Sequence, residues 1–323
     1  MAKNRQDRET ILQMAYRAFP EKKVKTIREL TEGMCNAAYL IEFEDDSRSV
    51  LKIACTDDGL MRHEINMMEA EVRAMRIVHE RKAARVAEVQ YYDTTHSLCD
   101  GNYFFMEALP GESFQVLGGD MDEAQKSLIN YETGCIARNL TQIRGDRFGL
   151  LGEQALPSGH FFDRLFPFVW WLMENVLADA RDKQVELGIP ETELLELLKQ
   201  DEILFDQVET PTLVHWDMWN GNIFVKDGHI SGIIDWERAM WGEAYQDDRF
   251  RRHTRTADFL RGFGKEDLAA EEMRRICWYD IYLYLTMMTE GSFRGYEDDG
   301  QYRWARSLLH ESWNEIMNYE KKS

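Results

Sequence analysis

Three oxygen-bearing side chains are spaced for chemistry: Asp217 and Asn222 in His215-Trp-Asp217-Met-Trp-Asn-Gly-Asn222, and Asp235 in Ile233-Ile-Asp235-Trp-Glu237. Moving the terminal phosphoryl group of a magnesium nucleotide needs one carboxylate beside the acceptor hydroxyl and further oxygen ligands holding metal against the phosphates. Asp217 suits the first role. Asn222 and Asp235 suit the second, because Mg²⁺ takes carboxylate, amide and water oxygens and commonly only one or two protein ligands. The competing reading makes His215 and Asp217 ligands of a hydrolytic metal site. Such sites usually recruit more histidines, and the remaining ones of the 8 in this chain are scattered.

The elements that must position these groups are legible nearby. Asn222-Ile-Phe-Val and His229-Ile-Ser-Gly-Ile-Ile read as two short strands joined through Lys226-Asp227-Gly228, where Gly supplies the positive φ of a tight turn. Such a hairpin brings Asn222 and Asp235 close together.

His-x-Asp with Asn five residues after the Asp, then Ile-Asp-Trp-Glu, resembles the aminoglycoside phosphotransferase family, whose eukaryotic-kinase-like fold choline and fructosamine kinases share. The resemblance implies that Asp217 is the catalytic base, Asn222 and Asp235 the metal ligands, and His215 the residue that orients the catalytic loop. One departure is Trp216, which stands where many relatives have Gly and puts a bulky ring beside the catalytic segment.

The kinase-like reading also organises the N-terminal third. Val50-Leu-Lys52-Ile-Ala is an apolar run interrupted by one Lys, which would reach the α and β phosphates and needs a carboxylate to hold its ammonium. Alone, Lys52 would read as an edge-strand lysine whose head reaches water. The segment Met61 to His79 has apolar residues near helical spacing and offers Glu64, Glu69 and Glu71. By resemblance Glu71 is the partner. Gly33-Met-Cys-Asn36 is similar to the family's nucleotide loop, although Gly33 in a hairpin and Asn36 bonding its own backbone give the same letters. Tyr103-Phe-Phe-Met106-Glu107-Ala-Leu109-Pro-Gly resembles the family's hinge, with Glu107 and Leu109 meeting adenine through backbone groups and Met106 guarding the pocket behind. Asp247 matches a final family acid expected to brace the catalytic loop, and Glu237 is either a supporting group or a substrate-facing acid.

The implied fold class is α+β: a two-lobed protein-kinase-like chain with a small N-terminal antiparallel-sheet lobe carrying one main helix, over 1–108. A larger, mainly helical lobe follows over 109–323, with helices read from Asp120 to Asn139 and from Phe161 to Lys199, broken at Gly188-Ile-Pro190. The 323 residues suffice for two such units.

Composition sets limits. A net charge of −19 argues against nucleic acid or an anionic membrane as partner and is compatible with a cationic substrate, though solubility explains it as well. No apolar run is long enough to span a bilayer, and the first residues show no secretory h-region, so the cytoplasm is expected. The 5 cysteines form no C-x-x-C pair and read as reduced thiols. Glu290, Glu297, Asp298 and Asp299, flanked by glycines, read as a solvated loop.

The expected function is therefore an ATP- and Mg²⁺-dependent small-molecule kinase, with GTP left open, phosphorylating a hydroxyl of a small molecule such as an aminoglycoside-type antibiotic. The alternatives are a choline, sugar or fructosamine kinase and a catalytically silent nucleotide-binding regulator. A protein kinase is disfavoured because no Ala-Pro-Glu segment follows Asp235. Oligomeric state is not readable.

Overall fold

The computed structural model describes residues 3–31, 35–55, 59–157 and 159–319. It begins with α1 (Arg8–Ala18), a helix the sequence reading did not assign, started by the Asp7 carboxylate accepting from the Thr10 amide. Then come β1 (Val24–Leu30), β2 (Ala37–Phe43), β3 (Arg48–Ile53), α2 (Met67–Arg81), β4 (Val89–Asp93) and β5 (Tyr103–Glu107). The five strands form one antiparallel sheet in the order β1-β2-β3-β5-β4. Strand alternation sends Leu51 and Ile53 into a core with α1, while Val50 on the other face packs toward α2. Lys52 shares that second face by the same alternation.

The chain then crosses to the C-terminal part through Pro110-Gly111. Gly111 has φ +94°, and a Cβ there would lie 2.1 Å from the Val225 carbonyl oxygen, so only glycine fits this crossover. Next are β6 (Glu112–Ser113), α3 (Phe114–Leu117), α4 (Glu123–Leu140), β7 (Gly149–Leu150), α5 (Leu165–Asp182), α6 (Glu191–Gln200), α7 (Glu202–Phe205) and β8 (Thr212–Val214). β9 (Ile223–Lys226), β10 (His229–Ile233), β11 (Met240–Gly242), α8 (Ala257–Phe263), α9 (Ala270–Arg294) and α10 (Gly300–Tyr319) complete the chain. This is the kinase-like α+β architecture expected, an antiparallel sheet followed by a mainly helical part.

One core cluster unites α5, α9 and α10, burying Trp278, Tyr282, Leu285 and Leu309. A second joins α2 and β5 to residues 218–236 through Met75, Phe104, Met218, Ile223 and Trp236. That shared core fixes the N-terminal sheet and α2 against the segment 218–236. Among the described residues no helix is long and apolar enough to cross a membrane.

Three expectations are corrected. The helix expected from Met61 starts only at Met67: Asn66 adopts a left-handed conformation, φ 46°, and the Glu64 carboxylate accepts the Met61 amide at 2.9 Å in a preceding turn. Glu290 lies inside α9 and is largely buried in ion pairs with Arg238 and Arg294, whereas Glu297, Asp298 and Asp299 lie beyond α9 as expected. Cys35 and Cys55 form a disulfide, Cα–Cα 5.7 Å, leaving Cys99, Cys135 and Cys277 free. The register explains it, because Ala37 opposes Ile53, and two further residues out on each strand stand the two cysteines.

Candidate active site

The segment carrying Asn222 and Asp235 is built on a hairpin. Asp227 and Gly228 both have positive φ, 53° and 80°, the conformation of a two-residue turn whose twist suits antiparallel strands. β9 and β10 therefore pair from Lys226↔His229 to Ile223↔Ile233, and the Ile234 amide donates to the Asn222 carbonyl at 3.0 Å. Asn222 and Asp235 are thus neighbours, as the spacing anticipates.

Asn222 also fixes Asp217. Its Nδ2 donates to the Asp217 carbonyl oxygen at 2.8 Å and lies 3.4 Å from the carboxylate Oδ2. His215, fully buried, is braced on both ring nitrogens: the Asp217 amide donates to Nδ1 at 3.3 Å, and Nε2 lies 2.9 Å from the Ile234 carbonyl. Nδ1 accepts, so Nε2 carries the proton and donates, and burial pushes the ring down to about 4. A neutral imidazole locks the Asp217 segment to the Asp235 segment. Burial, with the nearby Asp248, Asp235 and Asp247, pushes the Asp217 carboxyl up to about 7, against the pull of Arg238.

Between these two residues Trp216 is held at φ 77°, a conformation that costs a bulky side chain strain and that glycine adopts freely. The Gly of the similar sequences has its physical reason there. Trp216 is retained by its surroundings: its amide donates to Asp247 Oδ2 at 3.0 Å, its carbonyl accepts from the Asp248 amide at 3.0 Å, and its ring is buried.

Lys52 Nζ lies 2.8 Å from both Glu71 oxygens and 2.9 Å from Asp235 Oδ1. Burial opposes its charge, but Asp235 and Glu71 together hold the ammonium above its usual range. Glu64, the rival partner for Lys52, is instead paired with Arg238 and Arg294, and Glu69 accepts from the Tyr92 hydroxyl. Asn36 does not cap its own turn: its Nδ2 donates to Glu237 Oε2 at 2.8 Å and its Oδ1 accepts the Cys55 amide at 3.2 Å. Gly33 lies outside the described residues. Met106 is buried, and the Glu107 amide already donates to Glu88 O at 2.9 Å, so that amide is not free to donate to a ligand. His229 Nδ1 pairs with Glu132 Oε1 at 2.6 Å, its side chain largely exposed.

Glu71, Asp235 and Glu237 bring carboxylate oxygens within 4.8 Å of one another. Burial and the neighbouring Asp235 push Glu237 up to about 8. Crowded hard-oxygen donors of this kind fit a divalent cation such as Mg²⁺. Sequence reasoning left Glu237 open and missed Arg238, which follows it and ion-pairs with Glu64 and Glu290. Its only signal was a single Arg placed directly after the Asp235-Trp236-Glu237 run.

A family model described as the phosphotransferase enzyme family, APH, matches residues 26–248. The chain belongs to that family. Among solved structures it is similar to the aminoglycoside phosphotransferase APH(4)-Ia, 17% identical, covering 95% of this chain and 98% of that one with TM-score 0.65. It is similar as well to APH(2")-IIa in a streptomycin–ATP ternary complex, 17% identical, 98% and 97% covered, TM-score 0.60. A third is a putative aminoglycoside phosphotransferase from Ralstonia eutropha JMP134, 12% identical, 97% and 99% covered, TM-score 0.63. At these identities the likeness is one of fold. No curated protein matches the sequence.

Proposed function

We propose that this phosphotransferase moves the γ-phosphoryl group of ATP to a hydroxyl of a small molecule, with Asp217 as catalytic base. The observation that carries the reading is the convergence of Glu71 and Asp235 on the Lys52 ammonium, with Asn222 fixing Asp217. Lys52 offsets phosphate charge. Glu107 and Leu109 meet the base through backbone groups with Met106 guarding the pocket behind, and Asn36, bonded to Glu237, belongs to the phosphate side of the nucleotide site. We assign residues 1–108 to the nucleotide-binding lobe and 109–323 to the catalytic and substrate lobe. Asp235 and Asn222 would hold Mg²⁺, which neutralises phosphate charge when bound. Asp217 orients the acceptor hydroxyl and takes its proton as the oxygen attacks in line. APH(4)-Ia, solved with ADP and hygromycin B, supports this use of the fold.

The test is transfer of labelled γ-phosphate to a panel of hydroxyl compounds, including aminoglycosides, choline and sugars, with and without Mg²⁺, beside calorimetric titration of ATP. Magnesium-dependent ATP binding and labelled product support the reading. ATP binding unaffected by Mg²⁺, or absent, refutes it.

A further inference from the structure

The chain from His215 to Trp219 lies in no helix or strand, so the aim of the Asp217 carboxylate depends on what grips this loop from outside. A reacting side chain has to be held to within about 0.5 Å, and a loop does that only when neighbouring groups lock it. On the N-terminal side Asp247 Oδ2 accepts the Trp216 amide and the Asp248 amide donates to the Trp216 carbonyl, each at 3.0 Å. The C-terminal side is held by Arg249. Its Nε donates to the Met218 carbonyl and its Nη2 to Asn220 Oδ1, both at 2.7 Å. Three consecutive residues, 247–249, thus tether the positions immediately before and after Asp217.

Arginine is an expensive side chain to place there. It is 3% exposed, and both of its side-chain hydrogen bonds end on neutral oxygens, a carbonyl and an amide. Burial disfavours the charged guanidinium, and Asp248 and Asp247 only partly offset this. Packing alone would be served by an apolar side chain of similar volume without that desolvation. What the guanidinium supplies is a planar fork of donors in fixed geometry. Here two prongs reach oxygens on residues two apart, so the fork fixes the direction of the backbone leaving Asp217 as well as its distance. The Arg249 amide donates to Asp247 Oδ1 at 3.2 Å, which seats the fork on the same carboxylate that holds Trp216. Asn220 in turn opens the short turn that ends in Asn222, whose side chain donates to the Asp217 carbonyl.

Resting on the phosphotransfer reading above, we propose that Arg249 is a positioning residue: through Met218 and Asn220 it sets where the Asp217 carboxylate meets the acceptor hydroxyl, and it touches neither substrate. Its loss leaves ATP binding intact and slows transfer, because a shift of about 1 Å in a reacting group costs on the order of 10²-fold.

The experiment measures labelled phosphoryl transfer from Mg·ATP by the full chain, using whichever of kanamycin, choline and glucose the wild type phosphorylates fastest. Arg249→Met, which keeps a long side chain in the core, lowers kcat roughly 10- to 100-fold at an unchanged KM for ATP. Arg249→Lys, which keeps one donor, recovers part of the loss. Added to Asp217→Asn, Arg249→Met costs nothing further, since the group it aims is already gone. Asn220→Ala, at a half-buried position, removes the acceptor of one prong and lowers kcat about three- to tenfold, as loss of one hydrogen bond does. That variant carries the test if Arg249→Met does not fold. Wild-type kcat in folded Arg249→Met or in Asn220→Ala overturns the proposal, as does a further loss when Arg249→Met is added to Asp217→Asn, or a rise in the KM for ATP that matches the fall in kcat. Failure of the phosphotransfer reading shows instead in the wild type, as ATP binding that magnesium does not affect.

Discussion

The Lys52 ammonium sits 2.8 Å from both oxygens of the Glu71 carboxylate, 19 positions further along the chain, with neither side chain more than 11% exposed. β3 delivers one and α2 the other, so a sheet register and a helix face must both be correct for the pair to form. Removing one partner strands the other. Lys52→Met should lower stability by about 3–5 kcal/mol, the usual consequence of leaving one buried charge unpaired. The double variant Lys52→Met, Glu71→Leu should recover much of that stability yet bind ATP roughly 10- to 100-fold more weakly, having lost a charge-assisted phosphate contact. Paired denaturation curves and ATP titrations check both parts; wild-type affinity in the double variant would remove Lys52 from the nucleotide site.

Trp216 makes opposing demands. Glycine would relieve the left-handed backbone at φ 77°, a gain of about 1 kcal/mol, but would delete a buried indole, a loss of about 3–5 kcal/mol. Trp216→Gly should therefore be less stable than wild type. Chemical denaturation measures the sign, and a stabilised variant would show that the indole packs poorly.

His63 links acidity to stability. Burial first, then Arg238 and Arg294, push its ring down to about 3, with Glu290 opposing them. In the unfolded chain the ring takes its proton near its ordinary value of about 6.5. The folded state resists that proton, so this stability is fully present above about 6.5 and is lost as the pH falls toward 3, at up to about 1.4 kcal/mol per pH unit. In His63→Phe that part of the acid sensitivity should vanish. Melting curves from pH 7 to pH 5 on both proteins decide it, and parallel slopes would contradict the burial of a neutral imidazole.

The Cys35–Cys55 bond predicts three titratable thiols in the unfolded, unreduced protein and five after reduction. Closing a loop of 20 residues stabilises by about 3 kcal/mol, so reduction should lower the melting temperature. A cytoplasmic location pulls the other way, because thiols there are kept reduced. Thiol counting on protein prepared without reductant discriminates between them, five thiols meaning that the pair stays open.

The segment from His215 to Asp235 was legible because its structure is local: the turn, the hairpin and the Asn222–Asp235 approach are settled within a few residues of one another. Lys52 and Glu71 were legible through motif order, since an apolar strand with one lysine followed by an acidic helix leaves few alternatives. The surroundings of Trp216 were not. His63 and Tyr282 come from segments more than two hundred positions apart, and each looks like an ordinary core residue until the fold brings both beside Trp216. Glu290 was hidden by the glycines after it: Gly291 stays inside α9, and Gly295, at φ 69°, caps its end. The disulfide was missed because it depends on the pairing of β2 with β3, which spacing alone does not fix.

The most direct test of the central claim is Asp217→Asn. Asparagine keeps the size of the side chain and removes the proton acceptor. Mg·ATP affinity by calorimetry should be unchanged, while phosphoryl transfer to whichever acceptor the wild type uses falls by roughly 10²–10⁴-fold, the scale of positioned general-base catalysis. Near-wild-type turnover in this variant would contradict the assignment of Asp217 as the base.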